Sequence, residues 1–258
     1  MTANLRVATD GAVATITLDR AGKLNALTAA MLEALEAACG AIDRDESVRV
    51  VIVASASDRA FCAGADIVEW GPLGASGMWQ RWIRDGHRAF DRLARLRQPT
   101  IAAIGGIAYG GGLELALACD VRIAAAGARF AFPEVTIGAV PGWAGSQRLP
   151  RLVGAGRAKQ LILAGEPIDA AIAAAWGLVN EIVPADLLAN RALELARRIA
   201  ENAPTAVQAS KQLVDAAGGE GLTAALEALA AGLAAGTADA HEGVAAFREK
   251  RKPKFTGR

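Results

Sequence analysis

Two glutamates stand in this chain where a carboxylate is costly to keep. Glu114 interrupts ELALAC, an otherwise apolar helical stretch, and Glu134 follows twenty residues later in the irregular segment FPEV. An ionised carboxylate in apolar company is expensive unless it is paired or put to work. Two carboxylates at one site, with their pKa values pushed apart, act together as an acid and a base. A loop ion pair between Glu134 and Arg129 or Arg148 stands beside that reading on the residues alone.

Two loops of small residues accompany the glutamates. One is Gly110-Gly111-Gly112, which follows an apolar strand after Pro99 and opens the helix carrying Glu114. The other is CAGAD, residues 62–66, which also lies between a strand and a helix. Backbone amides in such loops are open to a ligand, because no bulky side chain covers them. Two amides aimed at one point, here Ala65 and Gly111, form an oxyanion hole that stabilises charge developing on a carbonyl oxygen. Taken singly, each loop also reads as a tight turn or a packing point.

Other chemistries lack their parts. Only His87 and His241 are present, neither placed for a Ser-His-Asp or Cys-His device, and no G-x-S-x-G elbow occurs. The glycine run satisfies neither G-x-G-x-x-G nor GxxxxGK[ST], and metal-ligand spacing is missing. No bound metal is expected. Cys39, Cys62 and Cys119 show no CxxC spacing; Cys62 and Cys119 read as small buried residues, and the set favours a reducing compartment.

The elements that must position these groups follow from periodicity. Asp10-Gly11 separates LRVAT from AVATITLD and predicts a β-hairpin. Thr28 caps a helix with Met31, Leu32, Leu35 and Ile42 at helical spacing. VRVVIVAS and VRIAAA read as strands covered on both faces. Residues 71–77 read as a mobile glycine-rich segment, and Met78 to Leu96 as a helix that could lie as a lid over a pocket. Residues 128–149 read as an irregular loop. From Ser146 the pattern is helical apart from LVNEIV, with helices over 185–201, 204–217 and 222–235, and Pro204 in a first turn. Asp239 and Glu242 predict a capping box for a last helix with Val244 and Phe247 on one side. Strands alternating with helices imply βαβ crossovers and a mostly parallel sheet, an α/β fold.

The 258 residues can bury a substantial core. Lys and Arg number 28 against 27 Asp and Glu, so the net charge of +1 points to neither nucleic acid nor an anionic membrane. The N-terminal residues lack an apolar signal region, and the longest uncharged run, Gln98 to Leu113, is too short and glycine-rich to span a bilayer. A cytoplasmic protein is expected.

The segments FCAGADI, IAAIGGIAYGGGLELALACD, FPEVTIGAVPGWAGSQRLPRLVG, AWGLVNEIVP and EGVAAFREKRKPKF together resemble the enoyl-CoA hydratase (crotonase) family, in order and over essentially the whole chain. The resemblance implies a crotonase-type ββα spiral of two stacked sheets over residues 1–200, which carries the ligand site. It also implies a helical C-terminal segment, residues 201–258, that builds a homotrimer or a hexamer of two trimers. The implied ligand is an acyl-CoA thioester, with coenzyme A as part of the substrate and no separate cofactor.

Carried over position by position, the resemblance puts oxyanion donors at the amides of Ala65 and Gly111 and the paired acids at Glu114 and Glu134. It puts substrate contacts at Lys23, Leu24, Ala63, Ala65, Asp66, Ile67, Gly110, Trp143, Phe247 and Lys250. In hydratases of the family both carboxylates hold one water; one activates it for attack at the β-carbon while the α-carbon is protonated. Glutamate at both positions favours hydration over double-bond isomerisation, thioester hydrolysis or non-catalytic acyl-CoA binding. Two departures stand out. Val68 occupies a position where many hydratases carry lysine, and Trp143 stands where a small residue is more usual, so it narrows or reshapes the acyl pocket. The basic tail around Lys250 reads equally as a contact to CoA phosphate from a neighbouring subunit or as a solvated helix end.

Overall fold

The structure is a computed structural model and describes residues 4–216 and 220–258. Among the described residues ten strands form two sheets. β1 (Leu5–Asp10), β2 (Val13–Leu18), β3 (Val50–Ser55), β5 (Thr100–Ile104), β7 (Val121–Ala125) and β10 (Glu181–Val183) build a six-stranded sheet in that order. β4 (Ala60–Cys62), β6 (Ile107–Tyr109), β8 (Arg129–Ala131) and β9 (Ile168–Asp169) build a second sheet in that order. Every pairing beyond the first hairpin is parallel in the large sheet; in the small one only β8–β9 is antiparallel. Each turn of the chain therefore lays one strand in each sheet and returns through a helix or loop, which is the spiral expected from the resemblance.

The continuous apolar runs of β3 and β5 arise because both faces of the large sheet are covered. On one face Val51, Val53, Ala102 and Ile104 join the main core with the Ala29–Arg44 helix, whose Met31, Leu32, Leu35 and Ile42 are buried as their spacing predicts. On the other, Val50, Ile52, Ile101 and Ala103 pack under Leu188, Ala192 and Ala196 of the Leu188–Ala200 helix. Thr28 caps the Ala29–Arg44 helix, its hydroxyl accepting the Met31 amide at 3.2 Å.

Several expectations need correction. The segments read as loops around CAGAD, after Gly106 and around Phe130 contain three-residue strands, β4, β6 and β8, too short to show alternation and held by pairing with one another. The hairpin turn is Gly11-Ala12, and Asp10 closes the last strand pair with Val13. Within residues 71–77 the chain makes a helical turn at Ala75–Gly77, and the following helix begins as a π-turn, Met78–Trp82, before Ile83–Ala94. The segment after β8 opens with a 3₁₀ turn, Pro133–Ile137, and helix Gly145–Val153 follows.

Three helices, Pro204–Ala216, Glu220–Ala235 and Ala238–Glu249, form the C-terminal segment; the expected end at Ala217 lies outside the described residues. The cap of the last helix is Thr237, which accepts the Ala240 amide at 3.1 Å, rather than an Asp239–Glu242 box. Asp239 is drawn elsewhere: its carboxylate receives the Thr256 and Gly257 amides at 2.6 and 2.7 Å, while Glu242 pairs with Arg251. Arg49 then ties the tail to the body of the protein, donating to the carbonyls of Phe255 and Ala200. No helix among the described residues is long and apolar enough to cross a membrane.

Candidate active site

The CAGAD loop is shaped by a short segment running alongside it. The Leu27 amide donates to Gly64 O at 2.7 Å, Asp66 N to Leu27 O at 2.8 Å and Ala63 N to Leu24 O at 2.9 Å. That segment is held in turn by Asn25, fully buried with φ +56°, whose amide group donates to Ser55 Oγ and to the carbonyls of Ala60 and Phe61 and whose Oδ1 accepts the Arg20 amide. The pairing takes up the Gly64 carbonyl and the Asp66 amide on either side of Ala65 and leaves the Ala65 amide without an acceptor among the described residues.

On the other strand–helix junction, the Gly110 amide bonds Ala131 O and Gly111 begins the helix, so the Gly111 amide has no partner within it. A Cβ placed on Gly111 would lie 3.4 Å from Ala65 N. Glycine at position 111 therefore keeps the space beside the Ala65 amide clear.

Glu114 lies one turn into that helix and is 2% exposed. Its Oε1 accepts two amides, those of Trp143 and Gly145, at 2.7 Å each. Ala144, between them, is forced to φ +75° so that both amides converge. Burial pushes the Glu114 carboxyl up to about 7, the amides oppose the shift, and the charge of Glu134 adds to it. Glu134 sits in the 3₁₀ turn after β8, with a buried Oε2 that has no hydrogen-bond partner. Burial raises its carboxyl to about 6. Its Oε1 would lie 2.6 Å from a Cβ at Gly110, where φ is +48°, so glycine is needed there for both conformation and space. The ion pair considered for Glu134 is absent among the described residues: Arg148 pairs with Asp91 at 2.6 Å.

All of this lines one cavity of about 400 Å³, with Ala63, Ala65, Ile67, Gly110, Gly111, Glu114, Glu134 and Trp143 in its wall. Trp82 and Ile83, from the helix read as a lid, also line it, as do Trp70, Met78, Ile137 and Val140, which sequence reasoning did not single out. Lys23, Leu24 and Asp66, the last residue of the CAGAD loop, do not line the cavity. Asp66 is engaged by Arg20 at 2.6 Å and by the Val68 amide at 2.9 Å, and its carboxyl is held below the usual range. Phe247, 86% exposed, and Lys250 lie on the last helix and its end, outside this cavity. Asn25, Ala144 and Gly145 escaped the sequence reading; the one signal for Gly145 was its place beside Trp143 in PGWAGSQ. Cys39, Cys62 and Cys119 are buried, with thiols raised to about 12. No cluster of three or more His, Cys, Asp or Glu is placed to hold a metal among the described residues.

Two amides without a partner among the described residues thus share one cavity with two carboxyls that burial raises above the usual range. A solved enoyl-CoA hydratase from Bacillus anthracis matches with a TM-score of 0.96 at 40% identity, covering 99% of this chain and 100% of that one. The short-chain-enoyl-CoA hydratase of Clostridium acetobutylicum is 42% identical over 96% of both chains, and the crotonyl-CoA hydratase of Syntrophomonas wolfei is 39% identical over 94% of both. The spiral is a crotonase fold. With the family model for enoyl-CoA hydratase/isomerase matching residues 8–258, the chain belongs to that family and is an enzyme of it.

Proposed function

We propose that the protein adds water across the double bond of a 2-enoyl-CoA thioester to give a 3-hydroxyacyl-CoA. The observation that carries this reading is the single cavity shared by two open amides and two carboxyls, Glu114 buried and Glu134 half-buried, whose pKa values burial raises to about 7 and about 6. The thioester carbonyl sits at the amides of Ala65 and Gly111, which stabilise the enolate oxygen as water attacks. Glu114 and Glu134 hold the water between them and titrate as a pair sharing one proton near neutrality. One member takes a proton from the water as its oxygen bonds to the β-carbon; the other returns a proton to the α-carbon as the enolate collapses. The two amides on Glu114 Oε1 leave Oε2 for this exchange.

Coenzyme A enters as part of the substrate, met by Ala63 and Ile67 in the cavity wall and by Lys23, Leu24 and Asp66 outside it. Phe247 and Lys250, far from their own cavity wall, reach the nucleotide end of a ligand bound by a neighbouring subunit. That reading requires residues 201–258 to assemble a trimer or a hexamer of trimers, and the exposed Leu229, Leu233, Val244 and Phe247 supply apolar surface for it. Light scattering checks the assembly. The near-neutral charge and the buried, unpaired cysteines fit a cytoplasmic enzyme.

The test is hydration of crotonyl-CoA, followed by loss of the conjugated thioester absorbance. Glu114→Gln and Glu134→Gln are each expected to lower kcat by about 10²–10⁴. Unchanged hydration in both variants would overturn the assignment of roles. Incubation with a 3-enoyl-CoA and with a saturated acyl-CoA, with products identified, separates isomerisation and thioester hydrolysis from hydration. Tight binding without turnover of any thioester would indicate a binding protein.

A further inference from the structure

Trp143 is the residue of the cavity whose placement the hydration chemistry does not itself require. Its backbone amide holds Glu114, a task any residue other than proline performs. The indole is another matter, because three elements are adapted to it. Its Nε1 donates to the Trp82 carbonyl at 3.2 Å, where the π-turn Met78–Trp82 passes into the Ile83–Ala94 helix. Phe90 packs edge-on against the ring, centroids 5.3 Å apart at 76°, and Trp82 lies tilted at 5.4 Å. Gly86 of the same helix has no side chain where a Cβ would fall 2.1 Å from Nε1. At the opposite edge, Cζ3 of the ring would be 2.6 Å from a Cβ on Gly111.

The indole thus lines the cavity from the first residue of the Glu114 helix to the first turn of the Ile83–Ala94 helix, wedged at both ends against glycine backbone. It is 2% exposed and fixed by a hydrogen bond and two aromatic neighbours, so it does not swing aside cheaply. The remaining wall around it is apolar, from Trp70, Met78, Ile83, Ile137 and Val140, and no Lys, Arg or His lines the cavity among the described residues.

These contacts place a rigid plate against Gly111, at the start of the Glu114 helix. A thioester carbonyl at Ala65 and Gly111, with its β-carbon at the glutamates, directs the rest of the acyl chain toward the ring. We infer that Trp143, seated by the missing side chain of Gly86, ends the acyl pocket and restricts the enzyme to short, uncharged 2-enoyl groups of crotonyl to hexenoyl size. This rests on the proposed hydration for the position of the reacting carbons. A carboxylate at the far end of the acyl group would enter an apolar wall with no cation to meet it, which disfavours such substrates.

The experiment compares wild type, Trp143→Ala and Trp143→Phe on crotonyl-, 2-hexenoyl-, 2-octenoyl- and 2-decenoyl-CoA. A single methylene at a closed wall is worth about tenfold or more in kcat/KM. Wild type is expected to fall at least about tenfold between hexenoyl and decenoyl groups, and Trp143→Ala to raise the decenoyl-to-crotonyl ratio by about tenfold or more. Trp143→Phe, which keeps an aromatic ring against Phe90 but loses the bond to Trp82, shifts the ratio in the same direction by less and serves if the alanine variant does not fold. Calorimetric titration of the same three proteins with butyryl-, hexanoyl-, octanoyl- and decanoyl-CoA reads the wall without turnover, and the affinity order is expected to match. A wild type that takes decenoyl and decanoyl groups as readily as the shortest ones overturns the inference, as does a length preference that survives in both variants. Failure of hydration with an intact length dependence in binding would overturn the hydratase reading and leave the wall standing.

Discussion

Replacing Glu114 by glutamine should abolish most activity and make the protein more stable, but only above a definite pH. The carboxyl belongs to a residue that is 2% exposed, and burial moves its pKa from 4.5 to about 7. Because the folded-state value lies above the unfolded one, the native state favours the protonated acid. That contribution is complete below about pH 4.5 and is lost as pH rises through about 7. At pH 8 the wild type carries a buried charge, and the displacement corresponds to a cost of about 3 kcal/mol. Glutamine keeps a carbonyl oxygen to accept the Trp143 and Gly145 amides and never ionises. The variant is therefore expected to gain about 3 kcal/mol at pH 8 and about 1 kcal/mol or less at pH 5. For a chain of this size that is a rise in Tm of about 2–4 °C per kcal/mol at the alkaline pH. Paired thermal melts at pH 5 and pH 8, with crotonyl-CoA hydration assayed on the same samples, provide the measurement. Equal shifts at the two pH values, or a loss of stability at pH 8, would refute the claim that burial governs this carboxyl.

Other substitutions probe the groups that hold the site. Gly145→Ala places a methyl 2.8 Å from Glu114 Cγ and 2.7 Å from Phe132, and should lower kcat by about a hundredfold with little change in KM, read from steady-state kinetics on crotonyl-CoA. Asn25→Ala removes the donor to the carbonyls of Ala60 and Phe61 and the acceptor for the Arg20 amide, at an expected cost of about 2–4 kcal/mol in denaturant unfolding. Ala144→Gly relieves a side chain held at φ +75° and should leave stability unchanged or raise it by up to about 1 kcal/mol, since glycine's greater freedom in the unfolded chain offsets part of the gain.

How much of this could be read from residue order depends on the range over which each signal acts. Glu114 announced itself because a carboxylate among ELALAC has no local reason to be there, and its burial bears that out. The helix from Ala29 and the sheet strands β2, β3, β5 and β7 were legible because local periodicity and burial agree along six or more residues or along a continuous β-branched run. The strands β4, β6 and β8 were not, since three residues show no period and are stabilised by pairing across the sheet. Asp239 had the local look of a helix cap, yet two amides of the C-terminal tail offered it better partners, and Thr237 took the cap instead.

The sequence by itself determined the chemical inventory: which acids lie in apolar surroundings, which loops lack side chains, and, through the combination of motifs, the family. Tertiary structure decided what those groups do to one another. The pKa of Glu114 depends on amides from Trp143 and Gly145 and on the charge of Glu134, all brought in by folding. The opening of the Ala65 amide depends on Leu27 and Asp66 spending the hydrogen bonds on either side. The seat of Trp143 depends on an empty position at Gly86, on a helix that meets it only in three dimensions. Desolvation and close packing are properties of a neighbourhood, and the neighbours of this site come from four separate stretches of the chain.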